Sequence, residues 1–143
     1  MRSWRLRSSV ALAVFGTVAT AMMMVWGGGP AAAGPPLCDG EVATLVGTSG
    51  DDFLKGTDDD DVIVGLGGSD RIQASGGNDI VCGNDGDDMM IGGPGDDVLI
   101  GGNGVDWVAY GNAPAGVDVD LGAGTASGGH GFDRLTSVES LIG

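Results

Sequence analysis

The chain has 143 residues, room for one small domain or at most two, and its 20 acidic residues outweigh six basic ones for a formal charge of −14, which argues against binding nucleic-acid phosphates. One His and two Cys exclude a conventional structural zinc finger, and five Pro without Gly at every third residue exclude collagen. Aromatic residues, at 5%, are too few for a core of large rings, while 42% hydrophobic residues in a regular arrangement speak against pure acidic disorder.

Residues 1–33 read as a secretory signal peptide. Met1–Ser9 is basic through Arg2, Arg5 and Arg7, Val10–Trp26 is apolar, and Gly27–Pro30 leads into the small residues Ala31–Ala33. An uncut membrane anchor is the competing reading, disfavoured by the short apolar run. After removal of residues 1–33, three basic and 20 acidic residues remain, a charge of −17 that would push a small domain apart unless something offsets it. Outside the membrane Cys38 and Cys82 would meet an oxidising compartment, so a disulfide between them is one expectation, with free or intermolecular thiols as the others.

Residues 34–46 read as an N-terminal cap. Its Cys38–Val46 stretch has the length of one unit of the repeat array behind it but offers Ala43 where an acid stands elsewhere. Residues 47–109 divide without gaps into seven nonapeptides: GTSGDDFLK, GTDDDDVIV, GLGGSDRIQ, ASGGNDIVC, GNDGDDMMI, GGPGDDVLI and GGNGVDWVA. Position six is always Asp (Asp52, Asp61, Asp70, Asp79, Asp88, Asp97, Asp106) and position eight always apolar (Leu54, Ile63, Ile72, Val81, Met90, Leu99, Val108). With Asp at about one residue in six, seven coincidences at one phase have a probability of order 10⁻⁶. Gly at positions one and four suggests turn conformations with positive φ, and the apolar positions seven to nine suggest a short strand. No unit can bury its apolar residue alone, so the units must stack as an all-β solenoid.

Stacked parallel strands lie about 4.8 Å apart. With two units per coil, Asp52, Asp70, Asp88 and Asp106 share one column and Asp61, Asp79 and Asp97 the other. Like charges this close repel unless a cation lies between them. Hard oxygen donors without thiolate or imidazole favour Ca²⁺, with Mg²⁺ as runner-up, and the gaps within the two columns suggest about five ions.

The units resemble the G-G-x-G-x-D-x-U-x nonapeptide of the RTX, or hemolysin-type, calcium-binding family, best at Gly92–Ile100 and Gly101–Ala109. The resemblance implies a right-handed parallel β-roll with Ca²⁺ held between turns. The seven position-six Asp side chains would supply ligands, joined by backbone carbonyls of the Gly-rich turns, here Gly65, Gly67, Gly83, Asp85, Gly92, Gly101 and Asn103. The run Asp58–Asp61 puts an acid, Asp59, at a turn glycine of the pattern, so Asp61 is expected to be strained or to use extra carboxylates.

Residues 110–143 read as a C-terminal extension of the stack with wider loops. The pattern lapses over Tyr110–Ser127, where Val117, Val119 and Leu121 alternate with Asp118 and Asp120 as a half-buried strand. It returns as GGHGFDRLT at Gly128–Thr136, whose Asp133 is expected to have no repeat Asp one coil away. Tyr110 and Trp107 are expected to cover the end of the stack, and His130 to be an exposed turn residue. No Ser-His-Asp, Cys-His or paired-Glu arrangement appears, so no enzyme activity is expected. The leading functional expectation is a secreted calcium-binding protein, extracellular or attached at the cell surface. A surface-structural or adhesive spacer that self-associates through open sheet edges is the alternative, and a remnant of an RTX protease or lipase a weaker one.

Overall fold

The structure, a computed structural model, describes residues 34–143; the expected leader over residues 1–33 lies outside the described residues. The described residues form fourteen short strands and no helix. In chain order these are β1 (Leu37–Cys38), β2 (Glu41–Val42), β3 (Leu45–Val46), β4 (Phe53–Lys55), β5 (Val62–Gly67), β6 (Arg71–Gln73) and β7 (Ile80–Asp85). There follow β8 (Met89–Ile91), β9 (Val98–Asn103), β10 (Trp107–Ala109), β11 (Val117–Asp120), β12 (Thr125–Gly128), β13 (Gly131–Thr136) and β14 (Ser140–Ile142).

Positions seven to nine of every repeat are strand, as their β-branched and aliphatic residues favour. Even-numbered repeats continue the strand through the opening of the next unit, which makes β5, β7 and β9 longer than the rest of the repeat strands. Successive strands of one sheet pair in parallel at an offset of two repeats, Ile63 with Val81 and Val81 with Leu99 on one side, Ile72 with Met90 on the other. Two repeats therefore make one coil, and the result is a parallel β-solenoid of about four turns. One wall is a five-stranded sheet in the order β14-β10-β8-β6-β4, the other a seven-stranded sheet in the order β11-β12-β13-β9-β7-β5-β3.

The position-eight side chains meet between the walls. Ile63, Ile72, Val81, Met90, Leu99 and Val108 are fully buried there, with Leu54 and Leu135 nearly so at the two ends. A second, smaller cluster lies outside the seven-stranded sheet, where the hairpin β1–β2 packs Cys38 and Ala43 onto Val64 and Cys82. Cys38 and Cys82 are joined as a disulfide with their α-carbons 5.8 Å apart, tying the start of the described chain to the second coil.

The turns correct one expectation. Positive φ falls at positions two and four, not at one and four. Gly68, Gly77, Gly86, Gly95 and Gly104 hold position four, and Leu66, Ser75, Asn84, Gly93 and Gly102 hold position two. At position four the requirement is doubled, because a methyl on Gly86 would also collide with the carbonyl of Gly68 in the coil below. Thr48 and Thr57 hold position two of the first two repeats without positive φ, a conformation that suits β-branched side chains. Asp59 likewise stays out of the left-handed region, so the acid-rich second turn carries no such strain.

The C-terminal region departs from a simple extension. Residues 110–127 do not form a coil. They leave the stack and return through β11 and β12, two antiparallel strands that lengthen the seven-stranded sheet. β13 then pairs directly with β9, Leu135 against Leu99. Gly128 pairs with Val117 and with Gly131, so the first residues of GGHGFDRLT belong to a hairpin and only the rest stacks as a repeat. His130 at that hairpin is buried, not exposed, and its carbonyl accepts the N–H of Gly95 at 2.7 Å. Finally, Ser140–Ile142 is a strand set on β10, with Leu141 beside Val108.

Because Leu99 is fully buried between the walls at mid-stack, Leu99→Ala is expected to destabilise the fold by about 2–5 kcal/mol. Phe53→Ala, at an exposed site, is expected to change stability by less than about 0.5 kcal/mol. Urea denaturation of the two variants checks the difference.

Candidate metal centre

The two-repeat register turns the sixth position into two columns. In one, the N–H of Asp52 donates to Oδ1 of Asp70 at 2.8 Å, that of Asp70 to Asp88 at 2.8 Å, and that of Asp88 to Asp106 at 2.9 Å. In the other, the N–H of Asp61 donates to Asp79 at 2.8 Å and that of Asp79 to Asp97 at 2.9 Å. Each carboxylate thus hangs down onto the backbone of the coil below. A parallel ladder runs the opposite way at position five. The exposed carboxylates of Asp51, Asp60, Asp87 and Asp96 accept the N–H of Ser69, Asn78, Val105 and Phe132 from the coil above.

Both columns continue beyond the seven repeats. Asp133 lies directly above Asp97, receiving its N–H at 3.0 Å, which corrects the expectation that no repeat Asp lies one coil away. The chain offset is 36 residues because a whole coil's length has been looped out. Glu139 takes the equivalent place above Asp106, its Oε2 accepting the Asp106 N–H at 2.9 Å. The sequence period did not reveal Glu139, since the last turn is shortened and the register shifts to 33 residues.

The second oxygens are the unusual ones. Oδ2 of Asp70, Asp79, Asp88, Asp97 and Asp106 is buried and meets no hydrogen-bond donor of the chain. A buried polar atom without a partner is costly, and five in register are a pattern, not an accident of packing. Position-one glycines make room for four of them, while the Asp79 repeat has Ala74 at that place. Beside Gly65 lie Oδ2 of Asp70 from its own repeat and the Gly83 carbonyl of the next coil, the latter 2.7 Å from where a methyl would stand. Beside Gly83 lie Asp88 Oδ2 and the Gly101 carbonyl, and beside Gly101 lie Asp106 Oδ2 and the Ser137 carbonyl. Carboxylate and carbonyl oxygens with no proton between them repel, and a hard dication is the group that would reconcile them.

The residues fit such an ion through oxygen alone. Among the described residues no three Asp, Glu, His or Cys side chains converge, so carbonyls must complete any coordination shell. Of the carbonyls expected as donors, those of Gly65, Gly83 and Gly101 face a carboxylate of the coil below. The carbonyl of Gly92 instead accepts the Ser75 N–H at 3.0 Å and that of Asn103 the Gly86 N–H at 2.8 Å, while Gly67 and Asp85 pair in the β5–β7–β9 ladder. The carbonyls of Ala74 and Ser137, unmarked in the sequence, face Asp61 and Asp106. Asp52 and Asp61 differ from the inner five: their Oδ2 atoms accept both N–H and hydroxyl of Thr48 and Thr57, at 2.6 and 2.9 Å and at 2.7 and 2.9 Å. Asp61 is held by two threonine hydroxyls, Thr57 on Oδ2 and Thr44 on Oδ1 at 2.9 Å, where strain or extra carboxylates were expected.

Burial, with repulsion from neighbouring carboxylates adding to it, raises the inner groups above the ordinary carboxylate range even against the backbone N–H each accepts. Asp79 and Asp88 are pushed up to about 6 and Asp97 to about 7.

The RTX calcium-binding nonapeptide repeat family matches this chain in overlapping stretches, residues 46–81, 55–90 and 83–112. No curated protein matches it.

The raised carboxyls set a pH dependence. From about pH 4 to 7 the cation-free fold holds more protons than the unfolded chain, in which these groups titrate near 3.8. Its stability is therefore greatest at the acid end and falls as pH rises through 6 to 7. A cation competes with the same protons and binds more weakly as pH falls. In chelator, strand signal by circular dichroism is expected to be greater at pH 5 than at pH 7.5, and the calcium midpoint to lie higher at pH 5. A midpoint that does not move with pH would contradict the raised carboxyls.

Proposed function

The repeat segment of this chain belongs to the RTX calcium-binding nonapeptide repeat family, and from that premise we propose a secreted calcium-binding protein whose solenoid folds around about five Ca²⁺ ions. One observation carries the reading: five stacked, buried Asp carboxylates each keep an oxygen that no donor of the chain satisfies. Five dications would bring the charge of residues 34–143 from −17 to about −7, easing the self-repulsion. An ion that binds only the folded chain stabilises it by about 2.7 kcal/mol at a hundredfold excess over its Kd. The ligands in this reading are the free Oδ2 oxygens of Asp70, Asp79, Asp88, Asp97 and Asp106, with turn carbonyls such as those of Gly83 and Gly101. The disulfide supports an oxidising compartment, and with it the export that the leader-like stretch Met1–Ala33 suggests.

An assembling, adhesive role is the second reading, and one observation favours it. β14 is an edge strand that exposes Leu141 and Ile142, the kind of edge that pairs with another chain. Sedimentation with and without Ca²⁺ separates the two, since a monomer in both conditions excludes assembly.

At neutral pH the chelated protein is expected to lack most of its strand signal and to gain it cooperatively as Ca²⁺ is added, with calorimetry counting about five ions. Asp88→Asn, in the middle of its column, is expected to weaken binding at least tenfold or lose one ion. No spectral change between chelator and millimolar Ca²⁺ would refute ion-driven folding.

A further inference from the structure

The carboxylate columns do not end as they run. Five inner aspartates present a buried, unpaired Oδ2, but three at the ends are satisfied by protein hydroxyls. At the N-terminal end the hydroxyls are those of Thr48 and Thr57, which hold Asp52 and Asp61. At the C-terminal end Tyr110, the single tyrosine of the chain, donates its hydroxyl to Oδ2 of Asp133 at 2.7 Å.

Both members of that last pair are buried. Tyr110 is delivered there by the chain's departure from the stack. Its N–H is held by the carbonyl of Ile142 at 2.9 Å, and residues after it leave toward β11.

We propose that Tyr110, Thr48 and Thr57 are hydroxyl caps that close three of the four column ends without metal, so that Asp70, Asp79, Asp88, Asp97 and Asp106 take ions through Oδ2 while Asp133 takes none. A hydroxyl donates one proton to the oxygen that an ion would otherwise engage, and it does so without adding charge at the exposed end of the stack. Tyr110 thereby limits the ion count: Asp133 is a latent site held shut by a phenol. This rests on the calcium reading above.

The test is a calcium count, by calorimetry and by anomalous scattering from crystals, on the full chain and its variants. Asp97→Asn is expected to lose at least one ion. Asp133→Asn is expected to keep the wild-type count, although it lies in the same column one coil away. Tyr110→Phe, which frees Asp133 Oδ2 while keeping the ring, is expected to bind one ion more, and Tyr110→Phe combined with Asp133→Asn to return to the wild-type count. Loss of an ion in Asp133→Asn, an ion on Asp133 in the wild-type crystal, or no gain in Tyr110→Phe would each overturn the cap. A wild-type protein that binds no calcium would overturn the cap together with the reading beneath it, a different result from a wild type that binds calcium at Asp133.

Discussion

The structure depends on a stack of like charges. A two-repeat register sets a carboxylate on the backbone N–H of its counterpart one coil down, and repeats this along two columns. One oxygen of each carboxylate is used in that bond and fixes the coil spacing. The other is pressed into the interior beside further oxygens. Hydrogen bonding and burial therefore pull in opposite directions on the same side chain, and in the inner groups burial prevails, as their elevated proton affinity records. Apolar packing alone offers little to oppose this. Each nonapeptide buries one large side chain between the walls, so a whole coil contributes only two to the core. The fold is one in which an external charge has a physical task.

Much of this was legible in the sequence because a strict period leaves little freedom. Once Asp stands at every sixth position and an apolar residue at every eighth, strand, core and columns follow from the stacking of identical units. The roles of the glycines were harder to read. Position one, Gly in six of the seven repeats, proved to lie against a carboxylate, not in a left-handed backbone, a distinction that composition cannot make because both settings favour a small residue. Leu66 and Asn84 adopt positive φ where no glycine advertises it.

What the period could not show is what breaks it. Val117, Val119 and the acids between them announce a strand, but not that it runs antiparallel on the edge of the larger sheet. Asp133 has no partner at the regular two-repeat spacing, because its neighbour Asp97 stands twice that distance away along the chain. Glu139 fell outside the pattern for the opposite reason, a turn that is too short. Thr48, Thr57 and Tyr110 look like ordinary turn and aromatic residues until their hydroxyls are seen on carboxylate oxygens. Such pairings arise from tertiary offsets, to which local spacing is blind.

The two ends of the solenoid are thus built by different means from its middle. At the start, a disulfide fastens a hairpin to the second coil and threonines satisfy the first carboxylates. At the finish, an antiparallel pair widens one wall and a buried tyrosine meets the last Asp of its column. These contacts need only covalent bonds and protein hydrogen bonds. In a one-dimensional stack each coil touches only its neighbours, so ends that hold without ions would offer ordered surfaces on which inner coils can close. The proposed ions then act where the protein supplies no donor of its own, in the coils between the two ends.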